Sequence, residues 1–143
     1  MNKTKEITQK NGERRSITLE LKFENEKPIY IQLAEWLSDN IISGQLKEEQ
    51  QIPSTTEISV NYKVNPATAL KGVNMLVDKG VIYKKRGLGM FVSKGAVEVL
   101  KKERQSEFFD SYIKTMIAEA KKLGLTKEEI IQMIERGICD ERN

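Results

Sequence analysis

Positive charge is concentrated in one stretch of this 143-residue sequence. Residues 61–95 contain seven Lys or Arg residues and one acidic residue, Asp78, which gives a net charge of +6 where the whole chain carries +3. A clustered positive field of this kind is typical of a surface that binds a polyanion such as nucleic acid. These residues therefore predict recognition of phosphates and base edges by charge and hydrogen bonding.

The rest of the composition argues against catalysis. The chain has no histidine, which removes the commonest general base and nearly every zinc site. A carboxylate-dependent nuclease would need clustered acidic residues to hold Mg²⁺, and residues 61–95 contain only Asp78. The single cysteine, Cys139, cannot form an intramolecular disulfide, which fits a reducing compartment. We expect no enzymatic activity, no cofactor and no metal site.

The overall composition is that of one cytoplasmic domain. Hydrophobic residues make up 38% and charged residues 31% of the chain, and no apolar run approaches the roughly 18 to 20 residues of a membrane helix. The N-terminus is charged and lacks the apolar core of a secretory signal. The sequence therefore predicts no membrane association.

Two helical patterns separated by a short turn lead into the basic stretch. Ser54 and Glu57 form an S-x-x-E capping box that begins a short helix. Asn65 and Pro66 then supply an N-cap residue and a first-turn proline for the next helix, which ends at Gly80. Its apolar face comprises Ala69, Val73, Leu76 and Val77. Two helices arranged in this way predict a helix-turn-helix.

Elements on either side complete the predicted domain. Residues 1–22 are assigned to a polar arm, and the alternation from Ile17 to Phe23 predicts a strand at its end. An amphipathic helix follows Pro28, with Tyr30, Leu33, Leu37 and Ile41 on its apolar face. After Gly80, two β-prone runs flank a basic tip at residues 84–89, which predicts a hairpin. The fold class is therefore mainly α with a small β-hairpin wing, a winged helix-turn-helix over residues 23–95.

The recognition helix of such a module enters the major groove by its N-terminal turn. Here that turn is followed by Lys71, which can reach guanine O6 and N7 or a phosphate. The wing tip adds two basic residues and glycines that permit close approach to the DNA backbone. The residues predicted from this geometry to bind DNA are Asn65, Pro66, Ala67, Thr68, Lys71, Lys85, Arg86, Gly87 and Gly89.

Five short motifs occur along this domain in a recognisable order. They are Pro28-Ile29-Tyr30-x-Gln32, Ile52-Pro53-Ser54, Val64-Asn65-Pro66-x-Thr68, Gly80-x-Ile82 and Arg86-Gly87-x-Gly89-x-Phe91-Val92. Together they resemble the winged-helix domain of GntR-type bacterial transcriptional regulators over residues 23–93. The Asn65-Pro66 variant and the short C-terminal part resemble the YtrA-like branch. The resemblance implies a repressor, and for that branch the control of a membrane-transporter operon.

The resemblance carries over residue by residue. The family's usual DNA-contacting arginine after Pro-Ser falls at Thr56, and a second frequent arginine falls at Pro66. The basic residue one turn further on is retained as Lys71. Ser54, Thr55 and Thr56 are then expected to meet phosphates through their hydroxyls. The preferred bases are expected to differ from those of arginine-bearing relatives.

The C-terminal residues 96–143 predict a two-helix dimerisation segment. One helix is expected from about Val97 to Lys122, and a capping box at Thr126 and Glu129 begins a second. Apolar residues recur in the first helix at steps of four and three, the spacing of a helix seam. The predicted dimer interface is Phe109, Tyr112, Ile113, Met116, Ile117, Ala120 and Leu123. The alternative is that this helical pair packs only on its own winged helix.

The predicted function is a sequence-specific transcriptional regulator, a dimeric repressor whose partners are a second copy and double-stranded DNA with an inverted-repeat operator. About fifty residues after the wing are too few for a separately cored ligand domain, so the sequence does not define a small-molecule effector. The alternative function is a winged-helix protein adaptor. That alternative predicts a neutral recognition turn and wing, whereas this stretch carries +6.

Overall fold

The computed structural model describes the backbone of residues 5–8 and 14–17, and backbone and side chains of residues 21–24 and 26–142. The chain divides into two compact units, Met1–Lys101 and Lys102–Asn143. The elements follow in the order β1 (Lys5–Thr8), β2 (Arg14–Ile17), α1 (Ile29–Ile42), α2 (Thr55–Tyr62), α3 (Pro66–Asp78), β3 (Ile82–Lys85), β4 (Gly89–Val92), α4 (Ala96–Phe108), a π-helical turn (Phe109–Ile113), α5 (Lys114–Lys122) and α6 (Lys127–Asp140).

Helices α2 and α3 form the predicted helix-turn-helix. The capping box is present, since the Ser54 hydroxyl accepts from the Glu57 amide at 3.0 Å and the Glu57 carboxylate accepts from the Ser54 amide at 2.8 Å. The turn between the helices is closed by Ser59, whose hydroxyl donates to the Val64 carbonyl at 2.6 Å. Lys63 adopts a left-handed conformation, with φ of 54°, and ends α2.

Helix α3, the predicted recognition helix, is held in position by close packing against α1. Gly72 is buried on α3, and a Cβ atom there would lie 2.9 Å from both the Tyr30 carbonyl oxygen and the Leu33 Cδ2 atom. Only glycine allows this approach. The core beneath the two helices consists of fully buried aliphatic side chains that include Leu33, Leu37, Ile41, Ile58, Ala69, Val73 and Leu76.

The wing is an antiparallel hairpin of β3 and β4, in which Ile82 pairs with Val92 and Lys85 pairs with Gly89. Its base belongs to the same core, because Ile82 and Val92 are 1% and 0% exposed. The connector before α2 runs along the other edge of β4, where the Ile52 amide donates to the Met90 carbonyl at 2.9 Å. The predicted winged helix-turn-helix fold is confirmed. The compact unit extends past the expected boundary at residue 95, since Ala96 and Leu100 of α4 are buried in this core.

The strand expected from Ile17 to Phe23 is tested only at its two ends, because residues 18–20 lie outside the described residues. Strand β2 ends at Ile17, and residues 21–24 are not in a strand. Leu21 and Phe23 alternate because their side chains pack against the winged-helix core, not because the backbone pairs with another strand. The segment expected to be a polar arm contains instead the β1–β2 hairpin, with Lys5 opposite Ile17.

The single helix expected from Val97 to Lys122 is interrupted. A π-helical turn at Phe109–Ile113 separates α4 from α5. A π-helical turn adds a residue to the helical repeat, so it rotates the side chains that precede it relative to those that follow. The Thr126–Glu129 capping box is present at the start of α6, with distances of 2.8 and 3.2 Å. That helix extends to Asp140.

Candidate nucleic-acid interface

The N-terminal turn of α3 is capped and open to a partner. The Asn65 Oδ1 atom accepts from the Ala67 amide at 2.9 Å, and Pro66 occupies the first helical position. Asn65, Pro66 and Ala67 are exposed, and Thr68 is half-buried. The cap leaves small side chains at the tip of a helix whose N-terminal dipole favours a phosphate.

Lys71 lies one turn further along α3 and is held over an aromatic ring. Its Nζ atom is 3.9 Å from the centroid of the Tyr30 ring on α1. An ammonium group over an aromatic face gains about 0.5–1 kcal/mol at an exposed site. The contact restricts a long, flexible side chain.

The start of α2 presents hydroxyl groups beside a carboxylate. Ser54 and Thr56 are exposed and Thr55 is half-buried. The Ser54 oxygen already accepts from the Glu57 amide, which leaves its O–H group free to donate to a phosphate. Glu57 places negative charge at the same helix end, so this end attracts phosphates less than the start of α3 does.

The basic wing carries its lysines on opposite faces. Side chains alternate along a strand, so Lys84 and Lys85 point away from each other. Lys85 lies on the face of Tyr83 and Phe91, whose rings stack 5.9 Å apart, and its Nζ atom is 4.7 Å from the Phe91 centroid. Both Lys85 and Arg86 are exposed. The two aromatic rings therefore lie beneath the Lys85 side chain.

Glycines shape the wing tip. Gly87 and Gly89 have φ values of 77° and 118°, a region that side chains rarely adopt. A Cβ atom on Gly89 would lie 2.5 Å from the Gln51 Nε2 atom. The side-chain amide of Gln51 donates to the Leu88 carbonyl at 2.9 Å. The two glycines therefore permit both the turn and the close approach of Gln51.

Sequence reasoning missed the roles of four residues that shape or position this surface. Tyr30 was placed on the apolar face of a helix and Phe91 in a strand, and neither assignment reveals the lysine above the ring. Gln51 lies in a polar connector without periodicity, so no sequence signal identifies it. Gly72 did carry a signal, because an isolated glycine inside a helical pattern often marks close packing.

The pKa of Tyr62 is raised by burial, and its ring lies edge-to-face with that of Trp36 at a centroid distance of 5.3 Å. Among residues 21–24 and 26–142, no three Cys, Asp or Glu side chains are grouped so that they could hold a metal ion. None of the described helices is long and apolar enough to cross a membrane.

The predicted dimer residues differ in exposure. Phe109, Tyr112 and Leu123 are 51%, 66% and 67% exposed. Ile117 is 37% exposed, whereas Ile113 and Met116 are half-buried and Ala120 is buried. The C-terminal unit therefore has large apolar side chains in contact with solvent.

Comparison with known proteins identifies the class to which this fold and surface belong. The family model of bacterial regulatory proteins of the gntR family matches residues 29–92. The helix-turn-helix-type transcriptional regulator YhcF of Bacillus subtilis, itself uncharacterised, is 32% identical over 115 residues, which span 79% of this chain and 92% of YhcF. The chain belongs to the GntR family of bacterial regulatory proteins.

Two further relatives cover both units of the chain. The transcriptional repressor YtrA of Bacillus subtilis is 26% identical over 79% of this chain and 86% of its own length. A solved structure from Bacteroides thetaiotaomicron, assigned to the GntR family, is 33% identical with a TM-score of 0.70 and covers 80% of this chain and 99% of its own. The resemblance to the GntR family and its YtrA-like members is confirmed.

Proposed function

We propose that this protein is a homodimeric repressor that binds an inverted-repeat operator through α3 and the wing. The observation that carries the proposal is the exposed basic surface of the winged helix, with Lys71 on α3 and Lys85 and Arg86 on the wing, within a stretch of net charge +6. The relative YtrA is named as a transcriptional repressor, which supports repression and not activation as the function of this chain. For a protein with this role we expect a cytoplasmic location and no enzymatic activity.

The surface divides into base recognition and backbone contact. The exposed turn from Asn65 to Ala67 enters the major groove, and Lys71 contacts a base edge from the same helix. Lys85 and Arg86 contact phosphates, together with the hydroxyls of Ser54, Thr55 and Thr56. Gly87 and Gly89 allow the wing backbone to approach the duplex.

Dimerisation follows from what one helix can recognise. A single recognition helix contacts only a few base pairs, too few to select one operator in a genome. Two copies related by a two-fold axis double the contacts and require an inverted repeat with half-sites spaced by the DNA helical repeat. The exposed apolar residues Phe109, Tyr112, Ile117 and Leu123 support a second copy as the partner.

The experiment begins with genome-wide mapping of bound DNA, followed by titration of the best site at several salt concentrations. Lys71→Ala is expected to cost about 1–3 kcal/mol on the preferred site and to relax the preference at one base pair. Lys127→Ala, an exposed lysine on α6, is the matched control and should bind as the wild type does. Binding that is independent of sequence in the wild type favours the adaptor alternative.

The wing is tested by the salt dependence of affinity. Lys85→Ala and Arg86→Ala are each expected to weaken all duplexes alike and to reduce the slope of log affinity against log salt by about one unit. Counterions released from the phosphate contact are the physical reason. If Arg86→Ala leaves both the affinity and the slope unchanged, the wing does not contact the DNA backbone.

A further inference from the structure

The wing is more than a two-stranded hairpin. An isolated two-stranded hairpin is marginally stable in water. Here the connector at residues 49–52 borders β4 on its open edge. The Glu49 amide donates to the Val92 carbonyl at 2.7 Å, and the Val92 amide donates to the Gln50 carbonyl at 2.9 Å. These bonds hold the base of the wing against the segment that leads into α2.

The same connector also reaches the wing tip. Gln51 lies opposite Phe91, and its Nε2 atom donates to the Leu88 carbonyl at 2.9 Å across 37 residues of sequence. Leu88 belongs to the three-residue loop, with Arg86 and Gly87, that joins β3 to β4. The bond therefore fixes the loop that carries Arg86.

Gly89 leaves the space that this contact needs. The Gln51 amide occupies the space that a side chain at position 89 would fill, 2.5 Å from the position of its Cβ atom. At the start of the loop, the Lys85 Nζ atom lies 4.7 Å from the Phe91 ring centroid. The wing tip is thus held by an amide and by an aromatic ring.

We propose that Gln51 is a positioning residue for the wing, which orders the Arg86–Leu88 loop before DNA binding. The inference rests on the proposed function. A loop that is already ordered loses less conformational entropy when Arg86 meets a phosphate. Gln51 itself acts through the loop and not by touching DNA.

The test measures affinity for one fixed duplex by fluorescence titration across salt concentrations. Gln51→Met removes the donor at nearly constant volume and is expected to weaken binding about threefold to tenfold. Gln51→Asn keeps the amide but is too short to reach Leu88, so it should weaken binding similarly. Gln45→Met, at an exposed glutamine that also lies between α1 and α2, is the matched control and should bind normally.

A double-variant cycle separates positioning from a general loss of stability. In the Arg86→Ala background, Gln51→Met should cause little further loss, because the residue that it positions is gone. Amide hydrogen exchange should speed up at Gly87 and Leu88 in Gln51→Met while the core amides of α1 and α3 keep their protection. Thermal unfolding of each variant confirms that it is folded.

Three outcomes overturn the inference. They are wild-type affinity in Gln51→Met, equal losses with and without Arg86, and unchanged exchange in the wing loop. Failure of the proposed function gives a different result, since the wild-type protein itself would then show no salt-dependent binding to duplex DNA.

Discussion

The two units of this chain differ in how completely they bury their apolar side chains. In the winged helix, the side chains of α1, α2, α3 and the wing close over a shared core, with Leu33, Leu37 and Val73 fully buried. Among the described residues after 101, Ala120 is the only buried hydrophobic residue. Several isoleucines of α6, including Ile131, Ile134 and Ile138, are about half exposed.

Local helix signals do not explain this difference. Both units begin a helix with a complete capping box, Ser54–Glu57 in one and Thr126–Glu129 in the other. Caps and propensity specify where a helix starts, whereas most helical stability in proteins comes from packing of an apolar face. The C-terminal unit is therefore locally well specified but leaves its apolar face exposed, which is the arrangement that a second copy can complete.

The largest expected effect comes from placing charge on that face. Ile117→Glu in the full chain is expected to dissociate the dimer, because a carboxylate would be buried without a partner. Sedimentation should show a monomer, and operator affinity should fall by about 100-fold or more as the two half-sites are bound independently. Binding to a single half-site should change little.

Ile131→Glu tests which helix of the C-terminal unit carries the interface. Ile131 is 44% exposed and Ile117 is 37% exposed, and only Ile117 belongs to the predicted interface. If Ile131→Glu dissociates the dimer while Ile117→Glu does not, the interface lies on α6. A protein that remains a monomer in every variant and in the wild type contradicts dimerisation itself.

A second prediction concerns the unit with the closed core. Gly72→Ala places a Cβ atom 2.9 Å from the Tyr30 carbonyl oxygen, so α3 must move away from α1. The higher helix propensity of alanine offsets part of this cost. We expect the free energy of unfolding to fall by about 1–2 kcal/mol in urea titrations. A stability equal to that of the wild type would mean that α1 and α3 adjust without strain.

The contrast between the units also shows which features a sequence can predict. The capping boxes and the Asn65–Pro66 start of α3 were predictable, because each involves groups within four residues of one another. The wing was predictable from two β-prone runs around glycines. These features depend on residues that are close together in the sequence, so the sequence alone indicates them.

The features that escaped prediction depend on distant contacts. Tyr30 lies beneath Lys71, and Gln51 bonds to Leu88, only because the fold brings separate elements together. The alternation of apolar residues that includes Leu21 and Phe23 suggested a strand, and it too reflects contacts with distant residues. Those side chains face the core, and the backbone N–H and C=O groups of the next residue, Glu24, bond to the Gln32 side chain at 2.7 and 2.8 Å.

The smallest expected effect is that of a second glycine-to-alanine substitution, at Gly137 in the C-terminal unit. There we expect the free energy of unfolding to rise instead of fall. Gly137 lies inside α6, and a Cβ atom there would meet nothing within 4 Å. Gly137→Ala should therefore raise the free energy of unfolding by about 0.5–1 kcal/mol, because alanine loses less backbone entropy in a helix. Urea titration gives the sign, and slower amide exchange along α6 assigns the gain to that helix. A loss of stability instead, at protein concentrations where the dimer forms, would show that this part of α6 is covered by the second copy.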